Sequence, residues 1–195
     1  MNENNYNKKI LVILGHPNID SFCGELFKKY INGAKKANAT VKTISVSKLK
    51  FDPILWKGYS EIQPLEKDLV NAQKLIKWAE HVVIIYPIWW HSVPALFKGF
   101  IDRVFLPGFA FKYINGIPRG FLKGKTARLI VTSGGPWFYY KIFGNISVKM
   151  IKNGLLKFCG FNKVKTTLFG SMTNLSKKKA NKHLKKVFLF GKNKK

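Results

Sequence analysis

The apolar positions of this chain alternate between two periods. Short continuous runs such as Ile10-Leu11-Val12-Ile13-Leu14 read as strands buried on both faces, as in parallel sheets. This pattern predicts strands over Lys9 to Gly15, Val41 to Val46, His81 to Tyr86, Ala127 to Thr132 and Val164 to Phe169. Between the runs, apolar residues recur at helical spacing. Leu26, Phe27, Tyr30, Ile31 and Ala34 follow Ser21, a residue suited to an N-cap. Pro64 opens a second helix, with Glu66 and Asp68 near the positive end of its dipole and Leu65, Leu69, Ala72, Leu75, Ile76 and Ala79 inside. A third helix is expected over Pro94 to Phe105, a fourth over Tyr140 to Phe158, and a basic amphipathic helix or tail over Ser176 to Lys195. Phe51 to Ser60 is loop-like. Leu106 to Lys123 carries Pro107, Gly108, Gly116, Pro118 and Gly120 and reads as a long ordered loop or hairpin, an insertion of the kind that often serves a site. Strands alternating with helices argue a doubly wound parallel α/β sheet in a single domain over residues 1–195.

Three segments carry candidate chemistry, each following a strand-like run. After the first comes Gly15-His16-Pro17-Asn18-Ile19-Asp20-Ser21-Phe22. It lacks the G-x-G-x-x-G of a dinucleotide-binding turn, yet a short loop feeding a helix N-terminus still offers free N–H groups and a positive dipole to an anion. After the third comes Tyr86-Pro87-Ile88-Trp89-Trp90-His91-Ser92-Val93-Pro94. Pro87 cannot donate to a ladder, so the strand must end and turn there. Large aromatic groups at the carboxyl end of a central strand occupy the ligand-binding position of open α/β sheets. Two tryptophans on an extended segment point in opposite directions, so one can be core while the other meets a ligand. After the fourth comes Val131-Thr132-Ser133-Gly134-Gly135-Pro136, whose glycines let backbone approach a planar ligand.

These three ordered segments resemble the flavodoxin-like NAD(P)H:quinone oxidoreductases, over about Ile10 to Gly160. The resemblance implies the flavodoxin-like fold: five parallel strands in the order 2-1-3-4-5 with helices on both faces. It implies a non-covalent flavin, FMN or FAD, with NAD(P)H as electron donor and a quinone-like acceptor. His16, Asp20, Ser21, Phe22 and Cys23 would line the flavin's phosphate end. Pro87, Ile88, Trp89, Trp90 and His91 would meet the ring, Trp90 being the tryptophan assigned to it. Thr132, Ser133, Gly134 and Gly135 would meet the ring's polar edge. Tyr140 falls where some quinone reductases place a tyrosine over the substrate pocket. The histidine that accompanies it in the mammalian enzymes has no counterpart in Gly144-Asn145-Ile146. By residue type alone, Phe22, Trp89, Trp90, Tyr139 and Tyr140 could equally be packing residues, and His16 could merely cap the strand end. Relatives of this kind are usually homodimers, and some are ancillary subunits of membrane potassium-efflux systems, so a regulatory flavoprotein docked on a membrane system is the alternative function.

Charge changes the picture in one respect. The net charge is +26, from 35 basic and nine acidic residues. All nine carboxylates lie at or before Asp102, whereas Arg103 to Lys195 holds 21 Lys and Arg and no acid. That half can supply neither a carboxylate base nor a carboxylate metal ligand. No His/Cys cluster has metal spacing. A basic surface attracts anions: nucleotide cofactors, an acidic membrane surface or nucleic acid. Nucleic acid is disfavoured, because no recognised nucleic-acid motif is present. No apolar run is long enough to span a bilayer. The polar stretch Met1 to Lys9 lacks a signal-peptide pattern, so a cytoplasmic protein with Cys23 and Cys159 as free thiols is expected.

Overall fold

The computed structural model describes residues 7–142 and 144–194. Expectations touching residues 1–6, Phe143 and Lys195 lie outside the described residues. Five strands form a parallel sheet: β1 (Lys9–Leu14), β2 (Thr40–Ser45), β3 (His81–Pro87), β6 (Thr126–Thr132) and β7 (Lys163–Phe169). Their order is β2-β1-β3-β6-β7. Between β3 and β6 the antiparallel pair β4 (Phe111–Ile114) and β5 (Ile117–Gly120) forms a separate hairpin inside the predicted insertion. Counted among the parallel strands alone, the order is the expected 2-1-3-4-5.

Strand alternation divides the core. Leu11 and Ile13 of β1 face a layer built by α2 (Lys67–Trp78) and α3 (Ala95–Val104), with Leu69, Ile76, Phe97 and Phe100 inside. Ile10, Val12 and Leu14 face the opposite layer, where α1 (Phe22–Lys36) contributes Leu26 and Tyr30 and α6 (Lys177–Lys192) contributes Val187. Helices therefore cover both faces. The two helices of the second layer meet backbone to backbone: a Cβ on Gly33 would run into the Phe188 carbonyl, and one on Gly191 into the Tyr30 carbonyl. Among the described residues, no helix is long and apolar enough to cross a membrane.

Two helices depart from expectation. The second begins at Lys67, after Glu66, and Pro64 lies before it, outside the helix. The cause is Arg103, which is fully buried on α3. Its guanidinium donates to the Asp52 and Pro64 carbonyls at 2.5 and 2.8 Å and pairs with Glu66 at 3.0 Å. Glu66 thus serves the clamp and supplies no cap of its own. The fourth helix is broken. α4 (Trp137–Ile142) is followed by Gly144 in the left-handed region (φ +79°), and α5 (Ile146–Lys149) starts anew with Asn145 accepting from the Val148 N–H at 3.0 Å. A π-helical segment, Met150–Lys157, continues from α5. A left-handed residue stops a helix, and the aromatic pattern across Tyr140 to Phe158 gives no sign of it.

Candidate functional site

The carboxyl ends of β3 and β6 open onto a cleft of about 460 Å³ lined by Pro87, Ile88, Trp89, Trp90, Thr132, Ser133, Gly134 and Met172. That volume lies within the ~300–1,000 Å³ of small-molecule sites. The switch point of this sheet, where an open α/β sheet binds its ligand, lies between β1 and β3, and the cleft adjoins it through β3. The second and third candidate segments therefore converge on one place.

The β3 loop is a tight hairpin rather than an extended segment. Trp89 N–H donates to the Ser92 carbonyl at 3.0 Å, and Ser92 N–H donates back at 2.8 Å. Trp90 and His91, between them, both have positive φ, +49° and +57°. This is a type I′ geometry, which normally selects Asn and Gly. A tryptophan and a histidine held there cost of order 1–3 kcal/mol each. The hairpin also overturns the expected alternation of the tryptophans. Neither is core: Trp90 is 99% exposed and Trp89 44%. The ladder itself runs one bond beyond Pro87, since Ile88 N–H donates to the Thr132 carbonyl at 2.8 Å.

The β6 loop is fixed by its own polar groups. Ser133 is buried. Its N–H donates to the Phe169 carbonyl at 2.9 Å, its hydroxyl donates to the Gly135 carbonyl at 3.0 Å, and its carbonyl accepts from Met172 N–H at 3.0 Å. Thr173 lies beside Gly134. The segment after β7 is therefore part of the cleft wall, a contribution absent from the sequence-based set. Its signal in the chain is the polar Gly170-Ser171-Met172-Thr173-Asn174 at the carboxyl end of the last strand.

The first segment lies beside the cleft without lining it. His16 meets Trp89 edge-on, with ring centroids 5.5 Å apart. Its Nδ1 accepts the Asn18 N–H at 2.9 Å, and burial holds the imidazole below its ordinary value against the opposing hydrogen bond. His16 is thus neutral at pH 7, and its free donor is Nε2. Ser21 is the N-cap of α1: its hydroxyl donates to the Asn18 carbonyl at 2.7 Å and accepts from Gly24 N–H at 3.3 Å. The side chains of Asp20 and Cys23 go elsewhere. Asp20 is exposed and pairs with Lys28 at 3.7 Å. Cys23 is buried in the α1/α6 layer, and Phe22 packs against the same cluster. Cys23 nevertheless touches the cleft wall from the core side, its Sγ 3.2 Å from the Oγ1 of Thr132. The N–H groups of Phe22 and Cys23 take no partner among the described residues, and neither do those of Trp90, His91, Gly134 and Gly135.

Tyr140 does not line the cleft and packs beside its loops. Its ring lies 3.6 Å from where a Cβ of Gly135 would stand, and its centroid is 5.9 Å from that of His91. Tyr139 lies 5.8 Å from His91 and 5.4 Å from Tyr140. His91 is thus held under two tyrosines, and its Nδ1, shielded from solvent, has no hydrogen-bond partner among the described residues.

The model of the flavodoxin-like fold family matches residues 8–188. An uncharacterized NAD(P)H oxidoreductase of Haemophilus influenzae is 32% identical over 171 residues, 83% of this chain and 83% of that protein. The chain belongs to the flavodoxin-like NAD(P)H:quinone oxidoreductase family. Within that family, the mouse ribosyldihydronicotinamide dehydrogenase (quinone) is 30% identical over 179 residues, 79% of this chain and 78% of the mouse protein. The crystal structure of Smu.1420 from Streptococcus mutans UA159 superposes with a TM-score of 0.82 at 34% identity, covering 94% of this chain and 98% of that one. The family match over residues 8–188 includes all three loops and most of α6.

Proposed function

We propose that the chain is a flavin-dependent NAD(P)H:quinone oxidoreductase that reduces its acceptor by two electrons and works as a homodimer. The observation that carries this is Trp90, a fully exposed indole held in a strained turn at the mouth of the cleft. Strain and exposure of this kind persist at binding sites, where a ligand or partner repays them. The wall chemistry fits a flavin. The indoles of Trp89 and Trp90 offer apolar faces, the unpartnered N–H groups of Gly134 and Gly135 offer donors to the ring's polar edge, and the N–H groups of Phe22 and Cys23 lie at the positive end of α1.

Bound flavin supplies the hydride relay between NAD(P)H and the acceptor. The chain's own work is orientation, charge stabilisation and one proton. Backbone donors of the β6 loop stabilise negative charge that develops beside them. Tyr140 holds a proton at its hydroxyl for the acceptor oxygen, and His91 positions Tyr140 through ring contact. Hydride plus that proton converts a quinone to a hydroquinone. Exposed apolar side chains support the dimer: Tyr113, Ile114 and Ile117 of the hairpin stand out of the monomer together with Trp90.

The test is direct. Purified protein carries or takes up flavin, chromatography of the released cofactor distinguishes FMN from FAD, and NAD(P)H is oxidised with a quinone as acceptor. Protein that shows neither flavin absorbance nor flavin-dependent stabilisation sinks the proposal.

A further inference from the structure

A second concentration of chemistry lies at the opposite end of the sheet, and the strand register builds it. Ile10 faces the α1/α6 layer, so Lys8, two residues earlier, shares that face. Ile10 pairs with His81, His81 with Thr126, and Thr126 with Lys163. Lys165 is two residues beyond Lys163 and lies on the same face. Lys194 reaches the same place from the end of α6. These six residues, with Ala127, line a cavity of about 140 Å³.

We propose that this cavity binds a small inorganic oxyanion of the phosphate type. Four lysines line the cavity, and Lys8 is acted on there by Lys194, Lys165 and the Glu80 carboxylate. Glu80 also spends an oxygen on the Lys9 N–H at 2.9 Å. The rim therefore keeps a net positive charge. Lys8 Nζ donates to the Lys194 carbonyl at 3.1 Å, which leaves two of its three protons for a ligand. His81 Nδ1 and Thr126 Oγ1 lie 2.7 Å apart at the floor, adding a polar surface to the charged rim. The lysines also act on one another. Burial chiefly lowers the Lys8 ammonium's proton affinity, Glu80 opposes this, and Lys194 and Lys165 lower it further. An anion between like charges relieves that repulsion and makes charge-assisted hydrogen bonds.

Size selects the ligand. A water takes about 30 Å³ of liquid volume, so the cavity admits a tetrahedral oxyanion with a few waters. It is below the ~300 Å³ at which small-molecule sites begin, a size suited to a small ion rather than to a flavin or a nicotinamide nucleotide. The site is separate from the cleft and does not rest on the flavin proposal.

The experiment is a thermal titration of the full chain, with and without excess FMN, with sodium phosphate at constant ionic strength held by sodium chloride. The expected result is a saturable rise in Tm with phosphate that chloride does not reproduce. Lys165→Gln and Lys163→Gln, at exposed strand positions that tolerate substitution, should each weaken the phosphate midpoint by about tenfold. Ser21→Ala, at the other end of the sheet, should leave that midpoint unchanged. Phosphate line broadening in ³¹P NMR should follow the same order. Identical titrations with phosphate and chloride would overturn the proposal. So would both lysine variants titrating like the parent, or a midpoint that moves with Ser21→Ala instead, because the phosphate would then be occupying the cleft.

Discussion

Cys23 Sγ lies 3.2 Å from Thr132 Oγ1, joining the first turn of α1 to the last residue of β6. The two residues are 109 positions apart, yet through them the loop beside the cleft is held against the loop that lines it. The thiol is a packing group. Burial pushes it up to about 11, with the Thr132 hydrogen bond opposing. Burial likewise pushes Cys159 up to about 12. The thiolate is the nucleophile, so at pH 8 neither cysteine should react with iodoacetamide in the native protein, and both should react in denaturant. Rapid native labelling of Cys23 would mean that α1 does not seat against β6 as described.

Trp90 should trade stability against binding. Its side chain packs on little else in the free protein, and its backbone lies at the first central position of a type I′ turn, where Asn is preferred. Trp90→Asn should therefore raise the stability of the flavin-free protein, by up to about 1–3 kcal/mol if the strain is fully relieved, while weakening flavin affinity. Thermal unfolding with and without flavin reads both changes. A variant that loses stability and keeps flavin affinity would assign the indole to packing.

Arg103 should be the most damaging single site outside the apolar core. Removing one partner of a buried ion pair costs about 3–5 kcal/mol, and Arg103→Ala leaves Glu66 and two carbonyls without their donor. Burial acts to raise the Glu66 carboxyl, but hydrogen bonds from the Asp52 and Glu66 N–H groups, with Arg103, outweigh it and hold the group below its ordinary 4.5. A depressed folded value contributes stability above the unfolded value and loses it as pH falls through the folded one. Denaturant unfolding between pH 3 and 6 should thus show part of the acid loss disappear in Glu66→Gln, and an unaltered pH slope would show that the pair does not contribute.

Most of the sheet was legible in the chain, because strands buried on both faces leave unbroken apolar runs. Val41 to Val46 and Ala127 to Thr132 fall within a residue of β2 and β6. What escaped depends on distant polar partners or on local backbone sign. Arg103 meets Glu66 across 37 residues, and no periodicity marks such a pair. The left-handed pair at Trp90 and His91 sits on residues that ordinarily avoid that region, so the expected alternation was misleading there. The break at Gly144 interrupts a pattern that reads as one helix. Met172 joins the cleft through a hydrogen bond to Ser133, a relation set by the pairing of β6 with β7.

Tyr140→Phe tests the proton role. The ring contacts with His91 and Tyr139 survive this change, so the fold and flavin affinity should persist. A positioned general acid contributes about 10²–10⁴-fold. Acceptor-dependent kcat should fall by at least about tenfold, with reduction of the bound flavin by NAD(P)H little affected in stopped flow. Equal loss in both half-reactions would assign the hydroxyl to positioning instead.

The uneven charge should be visible in the kinetics. Thr132, Ser133, Gly134 and Met172, half of the cleft lining, come from the part of the chain that contains no carboxylate. NAD(P)H is an anion, and a positive field of this kind raises its encounter rate. Salt screens that field, with a Debye length of about 10 Å at 0.1 M. As ionic strength rises, kcat/KM for NAD(P)H should fall while kcat, set after binding, changes much less. The 2′-phosphate gives NADPH more negative charge than NADH, so NADPH should be the more salt-sensitive donor. Steady-state rates for both donors across 0.02–0.5 M salt, ~21 to ~4 Å in Debye length, decide the matter. If neither donor responds, the positive field does not reach the cleft, and the basic surface acts elsewhere on the molecule.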